Sequence, residues 1–349
     1  MKHIKMILVI QFLCLFTLSF ASAPHLIQAP AELVSWSNQW NWAEQQIVSQ
    51  KQDSWIGYMI EADDSMSIHR HDCDMANQTT MQALLAEAGM VVSHAFDHKI
   101  IILCCMNSDK QIIDFVVTQY DSPFKHRDMP IFWLGKTSQE ASLATLKVKY
   151  NQTRDTDTRE EFIFIIALHT QSSESRRFLK SCIQSDSDET IRKTAVFWLG
   201  TFSQEKLNFF IQLAEHDQSD QVKEAAIFAI SRSDQADAFD ALLNIAKNNS
   251  DMKMRKQAIF WLSQRENNQA GDVLHQMAFD QTTVELQEHA VFALSQWRGN
   301  HGVDDLIDIA ETHPNSQVRK KAIFWLGQTD DPQALDALVG VIEKYGKRK

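Results

Sequence analysis

The 349-residue chain is 44% hydrophobic with ten Gly and six Pro, a composition that can bury a sizeable core and favours helix over a loop-rich sheet. Its formal net charge of −11, or −13 once Lys2 and Lys5 are set aside, disfavours binding to a nucleic-acid backbone or an anionic membrane surface.

Residues 1–23, MKHIKMILVIQFLCLFTLSFASA, join a basic start, an apolar run and an Ala21-Ser22-Ala23 ending, the pattern of a secretory signal peptide. No later apolar run reaches the roughly 18 residues a membrane span needs. The expectation is an exported protein, periplasmic or secreted, whose mature part does not insert into a membrane. Cys73, Cys104, Cys105 and Cys182 follow the leader. In an oxidising compartment Cys73 can pair with one of the adjacent two.

Residues 24–118 carry no repeat and read as a small α+β domain. Leu33, Trp36, Trp40, Ala43 and Ile47 recur at three- and four-residue steps, which predicts an amphipathic helix over 31–49. SWIGYMIEA, KIIILCCMN and KQIIDFVVTQY are short, rich in β-branched or aromatic residues and bounded by polar turns, so they predict three strands. Between them, HRHDCD places His69, His71 and Cys73 close together. These are chemically able to bind a metal, with His94 and His98 as further candidates, but their spacing fits no zinc pattern and a solvated polar loop is the competing reading.

From about residue 120 the chain repeats. Leu134, Leu168, Leu199, Ile230, Leu262, Leu294 and Leu326 lie 34, 31, 31, 32, 32 and 32 residues apart. Ala214, Ala246, Ala278, Ala310 and Ile342 form a second register at a constant 32. A period of this size marks a solenoid, here about seven units of two helices over 120–349. Polar stretches such as DQSD, NNSD and HPNSQ precede the second helix of each pair and can accept from its free N–H groups.

VRKKAIFWLGQTDDPQALDALVGVI, residues 318–342, resembles the HEAT-like repeat of the phycobilisome-lyase type, with its Val-Arg, small-residue stretch, Leu-Gly, turn and Ala-Leu-x-x-Leu. The resemblance implies a mostly α protein: a HEAT-like α-solenoid (α/α superhelix) preceded by the small α+β domain, used to hold a partner. It brings no activity with it. No Gly-x-Ser-x-Gly, Gly-rich phosphate loop or His-Glu-x-x-His is present, so neither an enzyme nor a cofactor is expected. Cys182, in LKSCIQS, reads as a buried small residue rather than a nucleophile.

On a helical wheel of the second helices, Trp133, Ala167, Trp198, Ala229, Trp261, Ala293 and Trp325 fall toward the core and alternate large with small. A charge alternates in step through Lys193, Glu224, Lys256, Glu288 and Lys320. Phe132, Ile166, Phe197, Phe228, Phe260, Phe292 and Phe324 fall on the opposite side. In the repeat that this chain resembles, second helices line the concave face. The expected function is therefore a scaffold that grips a protein or peptide segment along Phe132, Phe197, Phe228, Phe260, Phe292 and Phe324, with Lys256, Glu288 and Lys320 setting its orientation. The competing outcome is a strip that the protein covers itself. A metal-dependent role for the N-terminal domain, with the solenoid positioning a substrate, is the alternative function.

Overall fold

Residues 131–135 and 323–327 spell the same pentapeptide, IFWLG, and fold differently: the first copy is a β-strand and the second lies in and just after an α-helix. The computed structural model that shows this describes residues 25–61, 80–88, 99–120, 122, 129–170, 172–202, 205–265, 269–280, 283–297 and 302–346. Residues 1–23, the HRHDCD segment, His94 and His98 lie outside the described residues. The chain divides into two compact units, residues 1–138 and 139–349.

The first unit is built on a five-stranded sheet of β1 (Leu26–Gln28), β2 (Ser54–Glu61), β3 (Lys99–Met106), β4 (Ile112–Gln119) and β5 (Ile131–Lys136), in the order β1-β5-β2-β3-β4. β2, β3 and β4 pair antiparallel, while β5 runs parallel to both β1 and β2. Helix α1 (Trp36–Gln50) brings Trp36 and Trp40 onto Tyr58 at ring distances of 5.0 and 6.2 Å, and Trp42 onto Phe132 at 5.5 Å. Trp55, Met59, Leu103 and Trp133 pack instead with Leu84 and Leu85 of α2 (Met81–Glu87). Because side chains alternate across a strand, these two sets mark opposite faces of the sheet, each with a helix over it. That is why β2 and β3 read as continuous apolar runs and why Cys104 and Cys105, neighbours in β3, are both buried.

The strands expected at 54–62, 99–107 and 110–120 are present, and the helix expected at 31–49 begins at Trp36. The segment around Leu134 is different. It is β5, with Phe132 and Trp133 buried in the sheet, so it is no solenoid unit and Phe132 belongs to no strip. The helical unit accordingly begins at Gln139 rather than near 120.

Glycine ends the pentapeptide in both settings with opposite demands. Gly135 has φ +78°, whereas Gly327 caps its helix at φ −71° with no atom within 3.4 Å of an added Cβ. Gly135→Ala is expected to cost about 1–2 kcal/mol through left-handed backbone strain. Gly327→Ala should be neutral or slightly stabilising, because it narrows the unfolded ensemble at a compatible φ. Urea titration of both variants checks the contrast.

The second unit holds thirteen helices among the described residues: α3 (Gln139–Gln152), α4 (Thr156–Ala167), α5 (Ser173–Ser185), α6 (Glu189–Phe202), α7 (Leu207–His216), α8 (Asp220–Arg232), α9 (Ala238–Asn248), α10 (Met252–Ser263), α11 (Gln269–Phe279), α12 (Val284–Ser295), α13 (Val303–Thr312), α14 (Ser316–Leu326) and α15 (Pro332–Gly346). They form six antiparallel-type pairs, α3–α4 through α13–α14, followed by α15. Each even-numbered helix from α4 to α14 packs on the next even-numbered one, which makes a continuous second-helix row. Asp155, Asp251, Thr283 and Asn315 cap α4, α10, α12 and α14 by accepting from first-turn N–H groups. The residue after the first buried position of the second helix has its own task. Arg255 Nε donates to the Ala246 carbonyl at 2.9 Å, Gln287 Nε2 to Asp280 at 2.8 Å, and Arg319 Nη1 to His313 at 2.6 Å. These bonds satisfy carbonyls left open where the preceding helix ends, and the arginines also place positive charge at its negative pole. This is the physical content of the Val-Arg pair in the repeat.

Candidate partner-binding surface

The Phe and Trp of each second helix point to different neighbours, and together they make one aromatic ladder. Phe164 lies 4.6 Å from Trp198, Trp198 4.8 Å from Phe197, and Phe197 5.3 Å from Phe228 with the two planes only 8° apart. The ladder continues through Trp261 at 5.0 Å, Phe260 at 5.1 Å, Phe292 at 6.3 Å, Trp325 at 5.2 Å and Phe324 at 5.0 Å. Successive ring centroids stand within the range in which aromatic pairs attract beyond simple burial.

The large-small alternation sets the two kinds of rung. In a helix that lacks the Trp, the Phe (164, 228 or 292) meets the Trp of the next unit. In a Trp-type helix the Phe lies parallel to the Phe of the next, Ala-type helix: Phe197 to Phe228, Phe260 to Phe292. At Ala229 the helices come so close that a Cβ on Gly200 would lie 2.5 Å from the Ala229 Cβ. The Trp rings cover the preceding Phe rings. Both aromatics are half-buried along the row, and only Phe324, at its end, is 53% exposed.

The first second-type helix has a shifted register. Phe164 lies 33 residues before Phe197, and Arg159 lies 33 before Arg192. Ile166, the residue aligned by the leucine spacing, is fully buried in the core. Phe164 therefore takes the ring position that spacing assigned to Ile166, and Ile165 takes the Trp position. Glu160 then extends the charge series as Glu160, Lys193, Glu224, Lys256, Glu288, Lys320. The available signal was the Arg at the fourth position of the helix, Arg159, which stays in phase with Arg192, Arg255 and Arg319 where the leucines do not.

The charges do not pair rung to rung. Glu224 bonds Lys253 Nζ at 2.6 Å, and Lys256 bonds Glu285, so each reaches a residue 29 positions on, in the first turn of the next second helix. Glu224 holds Lys253 above its ordinary value through that hydrogen bond. Being largely solvated, such pairs add little stability and serve mainly to fix register. Lys320 is exposed, and Lys321 lies over both Phe324 and Trp325 at 5.9 and 5.8 Å. With Glu288, Gln317 and Phe324 they rim an open depression at the end of the row.

Elsewhere, Cys182 is buried 3.8 Å from the Tyr150 hydroxyl, and burial pushes its thiol up to about 11, which suits a packed residue and not a nucleophile. Among the described residues no three His, Cys, Asp or Glu side chains gather into a group that would hold a metal, and His69, His71 and Cys73 fall outside that set. No described helix is long and apolar enough to cross a membrane.

HEAT repeats match residues 143–231 and 207–295, and the PBS lyase HEAT-like repeat matches residues 318–343. This is a HEAT-like repeat protein. The matches fall on the helical unit and leave the sheet unit uncovered. No curated protein matches the chain. Among solved structures, human deoxyhypusine hydroxylase in complex with glycerol is 17% identical, over 59% of this chain and 79% of that one, with a TM-score of 0.27. A computationally designed self-assembling cyclic homooligomer is 15% identical, over 59% and 77%, with a TM-score of 0.12. At such scores neither superposition describes this HEAT-like protein's geometry.

Proposed function

We propose that the helical unit is an exported scaffold that binds a protein or peptide segment along the second-helix row. The unbroken aromatic ladder from Phe164 to Phe324 carries the reading. HEAT repeats commonly serve protein interaction, and this array offers partly exposed ring edges at every step instead of one isolated patch. The second helices contact one another more extensively than the first helices do, which supports their lining the inner side of the array.

Apolar side chains of the partner would lodge between ring edges already fixed in place. Little ordering cost then falls on the scaffold, which is how a preformed surface turns modest area into affinity. Lys256 is committed to Glu285, so orientation falls to Glu288 and Lys320, for which no ion pair occurs among the described residues. The reading assigns binding to this unit and no reaction.

Recovery of partners from the exported fraction tests it. Phe260→Ser combined with Phe324→Ser is expected to lower recovery by about tenfold or more, the range of paired hot-spot losses. Far-UV circular dichroism should stay near wild type. Undiminished recovery by a folded double variant rejects the strip as the binding surface.

A further inference from the structure

Arg265, just past the end of α10, closes the end of α8 with its guanidinium. Nη1 donates to the carbonyls of Ser231 at 3.0 Å and Ser233 at 3.2 Å and reaches that of Ile230 at 3.5 Å, while Nη2 donates to Ser233 at 3.2 Å. These carbonyls belong to the turn that ends the helix, at its negative pole. Two units on, the same end exists without the arginine. α12 and α14 follow α8 and α10 by 64 residues, so Leu294, Ser295 and Trp297 take the places of Ile230, Ser231 and Ser233, and Thr329 takes that of Arg265. The local backbone matches. Trp297 N–H donates to Leu294 at 3.2 Å as Ser233 does to Ile230 at 3.1 Å, and Thr329 N–H donates to Leu326 at 3.4 Å as Arg265 does to Leu262 at 3.3 Å. In this second copy Leu294, Ser295, Trp297 and Thr329 line a cavity of about 340 Å³, with Trp325 and Gln328 also in its wall. That volume falls within the roughly 300–1,000 Å³ of ligand sites. None of the described lining side chains is charged.

We infer that this cavity is a recognition site for the arginine side chain of a bound protein segment, whose guanidinium takes the place that Arg265 fills in the earlier copy. A guanidinium presents several donors in one plane and so serves neighbouring carbonyls together, which the compact ammonium of lysine does less well. Its charge is favoured at the negative pole of α12 and beside indole rings, here those of Trp297 and Trp325. The net charge of −11 favours a basic partner as well. Thr329 is too short to reach the carbonyls itself. The source of the arginine rests on the scaffold reading: Trp325 belongs both to the aromatic ladder and to the cavity wall, so a segment held on the ladder has the cavity beside it.

Nα-acetyl-L-arginine methylamide, an arginine with both backbone ends capped, is the probe, titrated into the full chain and followed by ligand-observed NMR. A single saturable site is expected, with affinity at least about fivefold weaker for the citrulline analogue, which keeps the shape and loses the charge. Thr329→Arg supplies the guanidinium in cis, so it should abolish saturable binding and raise the urea midpoint of the helical unit. Arg265→Thr opens the earlier copy and should add a second site for the probe. Absence of saturable binding, equal affinity for the citrulline analogue, or binding undiminished by Thr329→Arg overturns the inference. Binding that appears only in Arg298→Ala also overturns it, because the chain would then fill the cavity itself. Free L-arginine binding about tenfold tighter than the capped form overturns it too, by making the amino acid the ligand. The probe is read with no partner present, so failure of this site and failure of the aromatic strip are told apart.

Discussion

Trp261→Ala is expected to lower the stability of the helical unit by about 2–3 kcal/mol, below the full cost of a buried Trp truncation because the ring is partly exposed. Trp261 touches Phe228 in the preceding unit at 5.0 Å and Phe260 in its own at 5.1 Å, so its removal cuts the ladder at the centre. In a repeat array each unit is stabilised by its neighbours alone, and a cut interface cannot be compensated from a distance. The urea transition followed by circular dichroism should therefore broaden or split as well as shift. Trp261→Phe, which keeps a ring in the gap, should recover more than half of the loss. Phe324→Ser sets the scale from the other side: at an exposed position its cost should stay within about 0.5 kcal/mol. If Trp261→Ala costs no more than that, the ladder is surface decoration and not part of the frame.

Acid should weaken the helical unit through His169, before the carboxylates titrate. The ring is fully buried, with Nδ1 2.9 Å from the Ile165 carbonyl and Nε2 2.9 Å from Ser142 Oγ. A carbonyl can only accept, so Nδ1 carries the proton and Nε2 of the neutral ring accepts from the Ser142 hydroxyl. Burial disfavours the imidazolium and brings its pKa down from 6.5 to about 4. Above pH 6.5 the ring is neutral in both states and contributes no slope. Between that value and about 4 the unfolded chain takes up a proton that the folded one refuses, so stability falls as pH falls. The full shift corresponds to roughly 3 kcal/mol, of which about 2 is lost before pH 5, while exposed carboxylates are still ionised. His289, also held low by burial, contributes with the same sign. Urea midpoints at pH 7 and about pH 5 should thus separate clearly for the wild type and less for His169→Gln. Equal separations in the two proteins would show that His169 is already protonated in the fold.

The period was the most legible feature of the chain. From Leu199 to Leu326 the spacing never leaves 31 or 32, and every position so aligned is buried in the core. The Phe positions were visible for the same reason, since one helical wheel describes all the second helices. What the aromatics do was not visible. A wheel shows which way a side chain leaves its own helix, whereas the ladder depends on which ring of the next helix it meets. That is fixed by the close contact of Gly200 with Ala229 and by the parallel setting of Phe197 and Phe228. At the start of the array, loop length between helices shifted α4 by two residues relative to the leucine spacing, so Ile166 stood in for Phe164.

IFWLG marks the boundary between the two kinds of knowledge. By itself the sequence determined that both copies are apolar, that one continues a periodic amphipathic pattern upstream through Val318 and Ala322, and that the other follows Pro130. Five consecutive apolar residues do not encode a period, so they fit a buried strand as well as a buried turn of helix. Tertiary structure decided the first copy. β5 exists because β1 and β2, from distant parts of the chain, offer their backbone groups on both sides of it, and those hydrogen bonds outweigh the helical preference that its likeness to the repeat suggests.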